Sequence, residues 1–252
     1  MTKVHLCTDA DNTLWDTNSV YANAQLWMLR SLERELGRAA PEVDDEGLEF
    51  VRRIDQEIAA KHHDRLRYPA QIIANALSKA LDGHSASEAV TFALADAESL
   101  NLFPRIVEGY VERLQAMPKL RSGVAEGLRL AKLIGVPVTV LTEERLQRVV
   151  DLVDAHNLGK FIDNVMVINK EDSEYAALRR KFSNATLLMV GDQLDRDIGA
   201  AHRAGFATFY FPSGFKPYWT KELESVADHQ ITRYDEIGPF LGGAPPSLER
   251  FD

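Results

Sequence analysis

The stretch Cys7–Asp16 reads CTDADNTLWD. It closes a β-prone run that starts at Lys3, and it sets two carboxylates, Asp9 and Asp11, two residues apart at the end of that run. Like charges side by side repel, so such a pair is tolerable where a cation sits among them. The residues after the pair decide the architecture. From residue 18 to about residue 117 the apolar residues recur at three- and four-residue spacing, as in Tyr21, Met28, Leu29, Leu32 and Leu36 before Gly37. Further helical segments are expected at 44–62, 69–81, 85–97 and 103–116, with no convincing strand between them.

Beyond residue 120 the pattern becomes an alternation. Helices are expected at 123–134, 143–157, 171–182 and 193–204, and β-branched or apolar strands at 136–141 (VPVTVL), 165–168 (VMVI), 186–190 (TLLMV) and 207–211 (ATFYF). Strands alternating with helices imply a parallel sheet with crossover helices. Apolar runs without alternation fit strands buried on both faces. The strand at 3–8 has no other partner and joins this sheet. The fold class is therefore α/β, a Rossmann-like parallel sheet interrupted by an all-helical insertion placed directly after the carboxylate pair. Ligands of open parallel sheets bind outside the carboxyl ends of the strands. Asp9 and Asp11, Thr142, Lys170, and Gly191-Asp192 with Asp195 and Asp197 all come just after strand ends, so they converge on one edge.

Bulk properties narrow the classes. The 252 residues, 45% hydrophobic and 27% charged, fit one or two globular domains. The single cysteine, Cys7, excludes a disulfide within the chain and fits a reducing, cytoplasmic setting. No signal-peptide pattern or membrane-length apolar run is present. A formal charge of −9 argues against nucleic acid as the main partner.

With these residues in place the chain resembles the haloacid dehalogenase (HAD) superfamily. Asp9-Ala10-Asp11-Asn12-Thr13 matches its DxDx[TV] signature, Thr142 its second motif, Lys170 its third, and Gly191-Asp192 with Asp197 its GDxxxxD motif. Each motif alone is weak; four in family order, each at an expected strand end, are specific. Two positions depart from the usual pattern: Glu143 follows Thr142 where Asn is common, and Glu171 follows Lys170 where Pro is common. The resemblance implies a core domain of residues 1–17 and 118–240 and a type 1 helical cap of residues 18–117; Gly and Pro in GGAPPSLERFD point to a mobile tail at 241–252.

The resemblance also implies roles. Asp9 becomes the nucleophile that forms an aspartyl-phosphate. Asp11 becomes the general acid and base, and its presence favours phosphoryl transfer, since a halide leaving group needs no proton. Mg2+ is expected on Asp9, Asp192 and the Asp11 backbone carbonyl, with Asp197, or less readily Asp195, holding a metal-bound water or a neighbouring side chain. Arg196 is expected to pair with Asp195 or Asp197 at the surface. Thr142 and Lys170 are expected on the phosphate, with Asn12, Glu143 and the cap residue Arg67 as further substrate contacts.

Each role has a plainer alternative. Asp9 and Asp11 also suit turns, Asp192 and Thr142 suit helix N-caps, and Lys170 suits an exposed loop. The run from Lys61 to Pro69, with His63 and Arg67, either faces substrate or is a solvated helix end. Trp15 either packs a lid or walls the pocket, and Phe215, Tyr218 and Trp219 form a rim or fold back on the core.

The expected activity is a Mg2+-dependent phosphatase acting on a small soluble phosphorylated metabolite, as a monomer or homodimer. The rivals are another HAD reaction (dehalogenase, phosphomutase, or a phosphonatase, for which Lys61 and Lys79 remain open as cap lysines) and a non-catalytic binding protein on the same fold.

Overall fold

The computed structural model describes residues 3–41, 47–62, 68–95, 102–214 and 225–242. It divides into two compact units, one of residues 1–18 with 118–252 and one of residues 19–117.

The first unit is built on a six-stranded parallel sheet of order β3-β2-β1-β4-β5-β6. Its strands are β1 (Lys3–Thr8), β2 (Val138–Thr142), β3 (Asn164–Val167), β4 (Ala185–Gly191), β5 (Ala207–Tyr210) and β6 (His229–Gln230). Successive side chains point to opposite faces of a strand, and here both faces are covered. Leu6, Val140 and Leu188 join one apolar cluster, while their neighbours Cys7, Leu141 and Met189 join another. That two-sided burial is why these strands show no alternation of polar and apolar residues.

Several boundaries differ from the sequence expectation. β2 starts at Val138, after Pro137, and runs on to include Thr142; Pro137 has no N–H to give the ladder. β3 is not buried on both faces: it is the sheet edge, and Val167 is 51% exposed. The segment expected as one helix at 193–204 instead begins with a π-helical turn, Leu194–Gly199, followed by a short α-helix at Ala200–Arg203. The chain end at 243–252 lies outside the described residues.

The second unit is helical: α1 (Thr17–Leu36, which starts on the first unit), α2 (Leu48–Lys61), α3 (Ala70–Leu81), α4 (Ala86–Ala95) and α5 (Pro104–Arg113). It has its own core, including Met28, Leu32, Val51, Ile54, Ile73, Leu77, Val90 and Tyr110. Among the described residues no helix is long and apolar enough to cross a membrane.

The chain leaves and re-enters the sheet unit along two neighbouring stretches. The Asp16 N–H donates to Lys119 O at 2.8 Å and the Arg121 N–H to Leu14 O at 3.0 Å, with Trp15 bridged to Leu120 between them.

Candidate active site

The carboxyl ends of β1, β2 and β4 carry the predicted residues because β1 lies in the middle of the sheet, between β2 and β4. The Asp9 N–H extends the ladder by donating to Val190 O at 2.9 Å, which fixes the residue directly beyond β1. Its carboxylate accepts from the Lys170 ammonium, and Lys170 also donates to Asp197 Oδ1 at 2.6 Å. Lys170 lies three positions past Val167, the end of β3, yet it is 6% exposed, so the exposed-loop alternative fails.

Asp197 is fully buried, and its other oxygen accepts the Gln193 N–H at 3.0 Å. The π turn makes that approach, since Ile198 N–H reaches back five residues to Gln193 O. Gly191 makes room for it: a Cβ there would lie 2.3 Å from the Asp197 Cβ. Such a π turn commonly marks a functional segment.

Asp192 comes directly after β4. Its Oδ2 accepts the Ser213 hydroxyl at 2.7 Å, while Oδ1 is buried with no hydrogen-bond partner among the described residues. Carboxylate oxygens of Asp9, Asp192 and Asp197 lie within 4.8 Å of one another. Among the described residues three buried carboxylates meet the Lys170 ammonium and, near Asp192, the Arg121 guanidinium, which leaves the cluster short of positive charge.

The electrostatics reflect that shortage. Burial pushes Asp9 up to about 7; Lys170 opposes the shift, and Asp197 and Asp11 add to it. Burial, then Asp9 and Asp197, raise Asp192 well above the usual carboxylate range. Burial works to discharge Lys170, but Asp197 and Asp9 more than offset it and hold the ammonium well above its ordinary value. An orphaned buried oxygen among hard carboxylate donors is what a divalent cation fits. Asp9 and Asp192 would hold one here; Asp197 has both oxygens engaged, one by Lys170 and the other by the Gln193 N–H.

Asp11 stands apart from the three carboxylates. Its Oδ1 accepts from Trp15 Nε1 at 3.0 Å and from the Thr17 hydroxyl at 2.6 Å. Trp15 is fully buried in the core of the sheet unit, so it walls no open pocket; its Nε1 holds Asp11.

The substrate-contact candidates divide. Thr142 is buried at the end of β2 and its hydroxyl accepts the Glu144 N–H at 3.0 Å; the N-cap of the next helix, Leu146–Ala155, is Arg145, so the N-cap alternative for Thr142 is not what forms. Asn12 turns its Oδ1 to the Asn18 N–H at 2.7 Å, in the first turn of α1, where an unpaired helix N–H needs an acceptor. That oxygen is engaged by the fold. Glu143 pairs with Arg196, which corrects the expectation of a partner next to Arg196 in sequence. Arg67 and His63, like Phe215, Tyr218 and Trp219, lie outside the described residues. Lys61 donates to Ser87 O, Ser87 Oγ and Thr91 Oγ1 and pairs with Glu57.

Three groups about the site escape sequence reading. Thr17 stands only six positions from the residue it holds, so local spacing could flag it. Ser213 lies just beyond β5, and the strand-end rule applied to that strand would reach it. Arg121, whose guanidinium touches two of the site's loops, carries no sequence signal.

A family profile for haloacid dehalogenase-like hydrolases matches residues 5–205. The chain belongs to that family of hydrolases. A search of curated protein sequences finds no relative. Solved structures with the same architecture include a protein assigned to the HAD hydrolases, YfnB from Bacillus subtilis, bound to magnesium (15% identity, 96% of this chain and 100% of that one, TM-score 0.59). They also include a HAD phosphatase from Thermococcus onnurineus (16%, 95% and 98%, 0.52) and the L-2-haloacid dehalogenase from Xanthobacter autotrophicus (15%, 96% and 100%, 0.56). At such identities the likeness speaks for the fold.

Proposed function

We propose that this chain is a magnesium-dependent phosphatase of small phosphomonoesters, with residues 1–17 and 118–240 as its catalytic core and residues 18–117 as the cap that selects substrate. The observation that carries the reading is Asp11. A carboxylate two positions from Asp9, steered by Trp15 and Thr17, is the group that an alcohol leaving group requires and a halide does not.

In this reading Lys170 and the Thr142 hydroxyl meet the phosphoryl oxygens. An Asp9 oxygen attacks phosphorus, forming the acyl–phosphate bond as the ester P–O bond breaks. Asp11 gives its proton to the departing alkoxide, then takes one from the water that attacks phosphorus and frees Asp9 and inorganic phosphate. Asp197 keeps Lys170 charged and in place. Asp9 and Asp192 would hold a divalent ion, which would screen the anionic nucleophile from the anionic substrate.

The test is phosphate release from a panel of phosphomonoesters with Mg2+ and with chelator. Turnover of at least one ester is expected, lost on chelation and reduced about 10^3-fold or more in Asp9→Asn. Asp11→Asn should accumulate the phosphoenzyme. Full activity in Asp9→Asn, or halide release from haloacids in place of phosphate release, would sink the reading.

A further inference from the structure

Arg121 belongs to no motif, yet its guanidinium joins two loops of the site. One nitrogen, Nη1, donates to Asn12 O and, at 3.0 Å, to Phe211 O; Nη2 donates to Pro212 O at 2.6 Å. The guanidinium lies over the buried Phe211 ring, its Cζ 3.4 Å from the centroid. A half-buried cation normally gains a carboxylate as recompense for lost water. Among the described residues these hydrogen bonds all go to main-chain carbonyls, and the charge that sustains the cation comes from Asp192 and Asp16 nearby.

Both loops matter. Asn12 holds a left-handed backbone at φ 60°, rare for a residue with a side chain, in the turn just after Asp11. Pro212 immediately precedes Ser213, whose hydroxyl orients the Asp192 carboxylate and leaves Oδ1 without a hydrogen bond among the described residues. The fork geometry of guanidinium suits several fixed acceptors at once; an ammonium is a point charge and does not reproduce it.

We propose that Arg121 is a positioning residue for the divalent ion: by clamping the Asn12 turn to the Phe211–Pro212 segment it holds Ser213, and through it Asp192, in the arrangement that binds the metal. This role rests on the reading of the site as a metal site, and its test separates the two.

Mg2+ and Mn2+ affinities of the whole protein are measured by titration calorimetry, beside thermal unfolding and hydrogen exchange of the metal-free protein. Arg121→Ala should weaken metal binding about 10- to 100-fold, the range typical of groups that orient ligands. Exchange should rise at residues 10–14, 211 and 213, and added guanidinium ion should recover affinity, whereas Arg121→Lys should not. Ser213→Ala should reproduce the affinity loss, and the double variant should bind no worse than Arg121→Ala alone, since the serine acts through the same clamp. If Arg121→Ala proves too unstable to titrate, Arg121→Lys and Ser213→Ala carry the test. Unchanged affinity in either substitution, or additive losses in the pair, would overturn the clamp. A wild-type protein that takes up neither ion would overturn the metal reading itself, and the clamp with it.

Discussion

Asp55 in the helical unit and Asp192 in the sheet unit are both buried, and burial raises the proton affinity of each. Asp55 accepts from neutral donors on both oxygens, Gln25 Nε2 at 3.1 Å and the Tyr68 hydroxyl. Among the described residues Asp192 has a donor on one oxygen and none on the other, with two more carboxylates converging on it. A buried acid surrounded by satisfied neutral donors ties helices together. Acids that converge with an oxygen left over form a site whose last partner comes from outside the chain. Burial alone separates neither case; the accounting of hydrogen bonds does.

The comparison can be broken in several ways. The largest effect is expected at Gly191: Gly191→Ala drives a methyl into Asp197, so activity should collapse and about 1–3 kcal/mol of stability should go with it; an active, stable variant would show that Asp197 need not sit there. Next, Asp55→Ala leaves Gln25 and Tyr68 without their acceptor and should cost about 2–3 kcal/mol by denaturant titration, with Mg2+ affinity unchanged. Asp192→Asn should do the reverse, abolishing Mg2+ binding while making the metal-free protein more stable by about 1 kcal/mol at neutral pH.

The smallest effect is a slope. Asp9 and Asp192 have raised values, so their contribution to stability is full below the ordinary carboxylate pKa and is lost as pH rises through the raised ones, about 7 for Asp9. Metal-free wild-type protein should therefore lose thermal stability between about pH 5 and pH 8, with Mg2+ restoring it and Asp192→Asn showing a shallower fall.

How much of this is legible in the chain depends on distance. Asp9, Thr142, Lys170 and Asp192 can be placed at one sheet edge because period and strand ends are local signals, and the order of helix and strand tells which ends converge. The exposure of Val167 is hidden because an edge strand and a central strand of four apolar residues read alike; only the strand order β3-β2-β1 tells them apart. The π turn at Leu194–Gly199 reads as ordinary helix in the sequence, since it arises from how Asp197 packs on Gly191 and reaches Lys170. Arg121 is silent because its acceptors stand 109, 90 and 91 positions away. Local pattern locates the acids; long-range contacts decide what each acid is left wanting.

The neighbouring stretches at Leu14–Asp16 and Lys119–Arg121 carry one more implication. From the sheet's side, everything between them is a detour whose two ends already touch, stapled by main-chain bonds. Closing so short a gap adds little entropic penalty however long the detour grows. The same doorway therefore suits exchange: a foreign helical module, or a two-residue bridge, spliced between Asp16 and Lys119 should leave the β-sheet able to fold beneath it.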